Sequence, residues 1–400
     1  MVILKLASIF ALVSAGCGCL ISTSDRECAL DLGYNLQSLF PIRGPNQSRA
    51  MAVEALERGD YSRAVASAKR AVSEDPIGQR TASLLGSAFL GEKRTNEALG
   101  AFTVAAALGW RDQWVQHFWL SVAQTSGDFR VAAQRVDALL RIGVKDPTVD
   151  SSLNFLGESP VGRAALASRL AENPAWVSFY LENLDRRSAD TRLQKLMTIS
   201  QAVHQGLVLD RGYITQITLS LIKSGKASDA FSLWKLIAGT QLNANIPAQD
   251  LPFLLSLPNS SASPFEWSLA KAAGLESDVI KTASAKGGTA LHFLSQVSWR
   301  QTVASRITTL RSGRYRVSWR AASNSGDAPA WVHIGVSCIG GGGVLTSAAA
   351  TKHLDSLSSY DFSVPPESCS AQTISIAVDP DSASVAREGR ISDVKIVRTG

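Results

Sequence analysis

The feature that most constrains this chain is a period. Ala52, Gly86 and Leu120 recur at a spacing of 34 residues. In the same register fall Ala64, Ala98 and Ala132, and then Ala71, Ala105 and Leu139. Large residues repeat as well: Met51, Leu85 and Trp119; Tyr61 and Phe129; Phe102 and Val136. The tripeptide Gly59-Asp60-Tyr61 returns as Gly127-Asp128-Phe129. A period of this length is one helix–turn–helix unit that cannot bury its apolar face alone and must stack on copies of itself. Small residues sit where paired helices cross, and bulky ones fill the gaps between hairpins. Gly59 and Gly127 are placed to end the first helix of their units in a left-handed turn, and Lys93 stands at the matching position of the second unit.

This register resembles the tetratricopeptide repeat family over residues 45–147. The resemblance implies an α-helical solenoid whose first helices line a concave, peptide-binding surface. Projected onto this sequence, Arg80, Ser83, Ser87, Trp114, His117, Ser121 and Gln124 are the partner-groove residues, and the implied partner is another protein. Helical spacing continues through residues 148–246 as a degenerate extension. Gly225-Lys226-Ala227, with Ala230, Trp234 and Ile237 after it, repeats the hairpin's internal spacing. Pro147, Pro160 and Pro174 break helices within this stretch.

Composition changes after Ala244. Pro247, Pro252, Pro258 and Pro264 arrive with a run from Asn259 to Ser263, which marks residues 247–263 as a linker. Beyond it the apolar period becomes two. Tyr315, Val317 and Trp319 alternate with Arg316, Ser318 and Arg320; Val332, Ile334, Val336 and Cys338 share one face; Ile374, Ile376 and Val378 do the same. Gly and Pro clusters separate these runs, so residues 264–400 are predicted to form an all-β sandwich. The fold class expected is therefore multidomain, an α-helical solenoid followed by a jelly-roll-like β-sandwich.

The order of elements carries a second resemblance. Pro264-Phe265-Glu266-Trp267 opens the region, and a strand from Gln301 leads to Ser312-Gly313-Arg314-Tyr315. Trp331 to Cys338 follows, then Phe362-Ser363-Val364-Pro365 with Cys369 and Gln372, and a closing Ile391-Ser392-Asp393-Val394. The pattern is similar to the jelly-roll carbohydrate-binding modules and to the C-terminal domains of bacterial repeat proteins associated with exopolysaccharide. It implies proximity to glycan.

Alternation puts Arg314, Arg316 and Arg320 on the face opposite Tyr315 and Trp319. That stripe is either a binding surface for an acidic polysaccharide through charge-assisted hydrogen bonds or a solvated face that resists edge aggregation. Trp331 lies opposite Val332 and is expected exposed, as a stacking platform for sugar rings. Trp299 shares a face with Val297 and Val303 and is expected in the core. Cys338 and Cys369 are expected to be disulfide-bonded. Asp379-Pro380-Asp381 reads as a turn, or as oxygen ligands of a structural Ca²⁺.

The N-terminus points to export. Lys5 is the only charge before Asp25, an apolar run extends from Leu6 to Val13, and small residues Ser14, Ala15 and Gly16 follow. Residues 1–21 read as a signal peptide or anchor, and residues 22–44 as a linker. Three forms are compatible: cleavage, lipidation at Cys17 or Cys19, or an uncleaved membrane anchor, so N-terminal membrane association stays open. Each leaves the body in the periplasm or at the outer membrane of a bacterial envelope.

Several function classes find no support. The net charge of +6 is dispersed over 400 residues without a basic block, which argues against nucleic acid. The five histidines, His117, His204, His292, His333 and His353, fall in no metal-ligand spacing. No nucleophile elbow, zinc-protease or P-loop pattern occurs, and the Gly340 to Gly343 run joins strands rather than a strand and a helix. No catalytic residue, metal or cofactor is expected. The leading expectation is a non-enzymatic envelope scaffold whose repeats bind a protein and whose β-domain docks on polysaccharide or its export assembly. The alternatives are a pure protein–protein adaptor and a glycan-active enzyme with an interdomain site.

Overall fold

A computed structural model describes residues 45–241 except 79, and residues 264–400 except 283–287, 297, 324–329, 341–342, 350–356, 367–368 and 381–385. The N-terminal segment with Cys17, the 22–44 and 247–263 linkers, Val297, His353 and Asp381 lie outside the described residues. The chain divides into two compact units, Met1–Arg169 and Leu170–Gly400.

The first unit is a run of antiparallel helices: α1 (Pro45–Glu57), α2 (Tyr61–Glu74), α3 (Thr81–Gly91), α4 (Thr95–Leu108), α5 (Gln113–Ser126), α6 (Phe129–Arg141), α7 (Pro147–Glu158) and α8 (Pro160–Leu170), the last crossing the boundary. The repeated small residues are where the period put them. Ala52, Ala64, Ala68, Ala98 and Ala132 have no exposed surface. Gly86 has the tightest role among them. A methyl group built on it would stand 2.8 Å from two ring carbons of Phe102, so α3 and α4 approach as closely as they do only because that side chain is absent.

The repeated tripeptide has a direct structural cause. Gly59 and Gly127 both take φ of 72°, ending α1 and α5 in the left-handed turn. The following Asp60 and Asp128 then accept hydrogen bonds from the Arg63 and Val131 amides at 3.1 and 3.0 Å, capping α2 and α6. The second hairpin copies the geometry without the chemistry. Lys93 occupies the left-handed region at φ 61°, and Arg94 caps α4 with no side-chain hydrogen bond. Arg94 instead lies over the Phe89 ring, 4.5 Å from its centroid.

The second unit joins helices to two sheets. Its helices are α9 (Val177–Leu181), α10 (Ala189–His204), α11 (Arg211–Lys223) and α12 (Ala227–Gln241). Strands β1 (Ser268–Leu269), β4 (Gln301–Thr308), β9 (Gln372–Val378), β6 (Val332–Cys338) and β7 (Val344–Ala349) form one antiparallel sheet in that order. Strands β2 (Leu275–Lys281), β3 (Thr289–Ser295), β10 (Arg387–Arg398), β5 (Gly313–Ser323) and β8 (Leu357–Val364) form the other. Alternation holds: Tyr315, Val317 and Trp319 pack in one core with Ile334, Val336, Ile374 and Ile376 of the facing sheet. The fold is thus a helical-repeat region followed by a β-sandwich.

Cys338 and Cys369 are bonded, with Cα atoms 5.2 Å apart, tying the end of β6 to the segment before β9. Closing a loop of 31 residues stabilises by roughly 3–4 kcal/mol. Gln372, fully buried, holds the same segment: its amide donates to the Cys369 carbonyl at 2.7 Å.

The helical tail does not end as a free continuation of the solenoid. Phe265, at the start of the sandwich, is fully buried and sits edge-on to Phe231 of α12 at 5.2 Å, with Trp234 at 5.6 Å. Arg211 of α11 pairs with Glu266. Arg306 of β4 donates to the Phe265 carbonyl at 2.6 Å; burial pulls its pKa down to about 10, with Glu266 opposing, so it is protonated at neutral pH. The division falls at Arg169/Leu170, upstream of the expected linker, because these contacts weld α10–α12 to the sandwich.

The strain at Lys93 is testable. Left-handed backbone costs an L-residue about 1 kcal/mol relative to glycine, so Lys93→Gly is expected to stabilise the array by about that amount in urea unfolding. An unchanged or lowered midpoint would show that the turn is held without strain.

Candidate functional site

In the first unit α3 and α5 are the first helices of successive hairpins, and α4 lies between them in the chain. A cleft of about 450 Å³ opens along them. α3 contributes Ser87 and Leu90; α5 contributes Gln113, Trp114, His117, Phe118, Ser121 and Val122; α4 contributes Phe102. On α5 the spacing is i, i+3/i+4, i+7/i+8, which is one helix face. The floor is aromatic. Phe102 and Phe118 stack at 4.0 Å with planes 9° apart, and the Trp119 indole N–H donates to the Phe102 carbonyl at 3.3 Å. Leu90 and Val122 stand on the rim, 41% and 37% exposed. Ser87, Ser121, Gln113 and His117 supply the polar groups. Such a surface can hold an apolar side chain and satisfy a few backbone groups beside it.

No lysine or arginine is among the residues lining the cleft. The ionic group at its margin is the His117–Asp146 pair, at 3.2 Å. Asp146 also caps α7, accepting from the Val149 amide at 2.9 Å, which fixes the carboxylate opposite His117.

The structure brings four of the seven sequence-predicted groove residues together: Ser87, Trp114, His117 and Ser121. The other three are placed elsewhere. Ser83 is fully buried; its hydroxyl donates to the Arg80 carbonyl at 3.0 Å and bonds the Asp112 carboxylate, so it staples α3 to the start of α5. Arg80 is left-handed, φ 69°, at the N-cap of α3. Gln124 donates to Ser152 at 3.1 Å and is committed to α7. Phe102, Phe118, Leu90, Val122 and Gln113 escaped the sequence reading. Phe118 carried a signal, lying four residues from Trp114; Phe102 carried none, because its helix is the second of its hairpin.

On the sandwich, Arg314, Arg316 and Arg320 do project from the outer face of the β2-β3-β10-β5-β8 sheet, but two are paired across strands. Arg316 grips Asp361 on β8 with bonds of 2.6 and 2.9 Å, and these hold the Asp361 carboxyl below the usual carboxylate range. Arg320 pairs with Asp393 at 3.4 Å. Arg314 is exposed. The stripe is therefore largely charge-compensated, which disfavours it as an anion surface.

The two tryptophans exchange their expected places. Trp331 packs edge-on to Phe293 at 5.8 Å under Arg387, 5.1 Å from its ring, and is partly buried against the core. Trp299, expected inside, is 61% exposed because it precedes β4 and lies beyond the paired register. Beside it in sequence, Arg300 donates to Asp379 at 2.5 and 3.2 Å, and His333 lies 2.5 Å from the same carboxylate. The Arg300 hydrogen bonds, with the weaker His333 contact, hold the Asp379 carboxyl below its ordinary range. Asp379 is thus committed to Arg300 and His333. Among the described residues no group of three or more His, Cys, Asp or Glu side chains is placed to hold a metal ion. Among them, too, no helix is long and apolar enough to cross a membrane.

No family model matches the chain, and no curated protein matches it. Solved structures resemble parts of it. An arabinose-bound GH51 α-L-arabinofuranosidase shares 14% identity over 37% of this chain and 26% of its own, with a TM-score of 0.28. The chain spans about a quarter of that enzyme's length. The CBM22-1 xylan-binding domain of Paenibacillus barcinonensis Xyn10C shares 15% identity over 38% of this chain and 96% of its own, TM-score 0.27. The tetratricopeptide domain of P58(IPK) shares 12% identity over 50% of this chain and 61% of its own, TM-score 0.25.

Asp112 ties the cleft together, accepting from the Trp114 amide at 2.9 Å as the N-cap of α5 while bonding Ser83. Asp112→Ala is expected to cost about 1–2 kcal/mol in urea unfolding, the loss of a cap plus the loss of the charge-assisted bond to Ser83, whose hydroxyl keeps the Arg80 carbonyl. A cost indistinguishable from zero would show that α5 is positioned by packing alone.

Proposed function

We propose that this chain is a non-enzymatic binding protein of a bacterial cell envelope, whose helical array holds an apolar segment of a partner protein in the α3–α5 cleft. The observation that carries this reading is the aromatic lining of the cleft. Half-buried Trp114 and Phe118 line it, Phe118 stacks on the buried Phe102, and Leu90 and Val122 are left on the rim. Interfaces concentrate binding energy in such desolvated aromatic pockets. With Asp146 at the margin and no lysine or arginine among the lining residues, the cleft suits an uncharged or basic segment, and an acidic one would meet like charge.

The disulfide supports an oxidising location, since such bonds persist outside the reducing cytosol. In this reading the sandwich docks on polysaccharide, or on the assembly that exports it, while the array recruits its partner. Turnover of polysaccharide by the full chain would instead favour a glycan-active enzyme.

Selection of a phage-displayed random peptide library against the full chain tests the cleft. Enriched peptides are expected to share an apolar anchor and lack acidic flanks. They should bind Trp114→Ala at least about tenfold more weakly, a loss of 1.4 kcal/mol or more, and Trp110→Ala, exposed before α5 and outside the cleft lining, as wild type. Peptides that are acidic, or insensitive to Trp114→Ala, would contradict the assignment.

A further inference from the structure

The proposed docking on polysaccharide needs a surface, and the arginine stripe supplies little. Its sheet presents tall polar side chains closed on one another, Arg316 with Asp361, Arg320 with Asp393 and His292 with Glu388 at 2.8 Å. The other sheet is built differently. Val332, Ile334, Ile374, Ile376 and Val378 point into the core, so their neighbours along β6 and β9 point out. The register then lays out the outer face in rows. Thr302, Ala377 and His333 are cross-strand partners, and one step along lie Ser305, Ser375 and Gly335. At the end of these rows stand Arg300 and Asp379, bonded to each other, with the His333 Nε2 within reach of both and Trp299 next in the chain.

We propose that this end of the β1-β4-β9-β6-β7 sheet is a glycan site, with Trp299 and the Arg300–Asp379–His333 cluster as its recognition groups and a neutral polyhydroxylated chain as its ligand. The proposal rests on the polysaccharide-docking reading above and gives it a place and a ligand class. A pyranose ring offers an apolar C–H face and an equatorial rim of hydroxyls. Trp299, 61% exposed, supplies an apolar plane with an indole N–H at its edge. Arg300 is half-exposed and keeps N–H donors beyond those given to Asp379, and the carboxylate keeps lone pairs beyond those given to Arg300 and His333. Donors and acceptors fixed side by side match vicinal hydroxyls, which both donate and accept. The hydroxyls of Thr302 and Ser375 extend that array along a surface of short side chains that a flat chain can approach. The cluster balances one guanidinium against one carboxylate, with a histidine between them. It therefore offers no net field to select a polyanion, and a neutral chain is the complementary ligand.

The test uses the full chain on a printed array of neutral hexose and pentose oligosaccharides beside uronate-bearing ones, followed by calorimetric titration of the best-retained sugar. Neutral oligosaccharides are expected to be retained, with affinity nearly independent of salt. Trp299→Ala and Arg300→Ala should each weaken binding by about tenfold or more, while Arg316→Ala, on the opposite sheet, should change it less than about twofold. Both site positions are exposed, and unchanged circular dichroism would show that the variants fold. Retention of uronate-bearing sugars alone would overturn the ligand class. Binding that survives both site substitutions would overturn the location and leave polysaccharide docking standing. Absence of binding to every sugar would remove the docking reading and this site with it.

Discussion

The contact on which the array depends is the one made possible by a missing side chain. Gly86 lets the Phe102 ring enter the space a methyl group would occupy, 2.8 Å away. Phe102 in turn stacks on Phe118, and its carbonyl receives the Trp119 indole. One glycine therefore sets how near α3 lies to α4, which aromatic ring forms the floor of the cleft, and where the next hairpin begins. Gly91 does the same for Tyr61, whose ring fills its Cβ position. Protein interiors pack too densely for such contacts to be adjusted singly, so the cleft is a consequence of hairpin packing rather than an addition to it.

A second joint governs the other unit. Phe265 plugs an aromatic socket made by Phe231 and Trp234, and the Arg211–Glu266 pair and Arg306 close around it. Fully burying a phenylalanine is worth roughly 1.5–3 kcal/mol, so the socket is a substantial share of a domain's margin of stability. The helices following Leu170 and the sandwich are therefore one physical object, although their sequences belong to different structural classes. That makes residues 170–400 the natural unit for any experiment on the sandwich.

The sequence showed periodicity well and pairing poorly. The 34-residue register located the small residues and the Gly-Asp-aromatic turns, because each is a local requirement of backbone or crossing distance. Alternation put Tyr315, Val317 and Trp319 inside and the arginines outside, and the disulfide followed from the places of Cys338 and Cys369 beside their strands together with the export reading. Partners were out of reach. Nothing near Arg316 announces that Asp361, in another strand, will neutralise it, and nothing near Ser83 announces Asp112. The exchange between Trp299 and Trp331 has the same origin. Alternation assumes a continuous strand, and Trp299 precedes the paired residues of β4, while Trp331 is drawn onto Phe293 of the opposite sheet. Strands β2 and β3 were not singled out because their apolar residues are diluted by Glu276, Asp278 and His292 on the solvent face.

The α3–α5 cleft is proposed as the surface through which this chain engages a protein. A photo-cross-linking residue placed at Val122, on the rim, tests it most directly when compared with the same residue at Ala66, exposed on α2. One discrete cross-linked species is expected from Val122 in cells that express the chain, abolished by Trp114→Ala in the same chain and absent from Ala66. Equal cross-linking from both positions, or none from Val122, would contradict it.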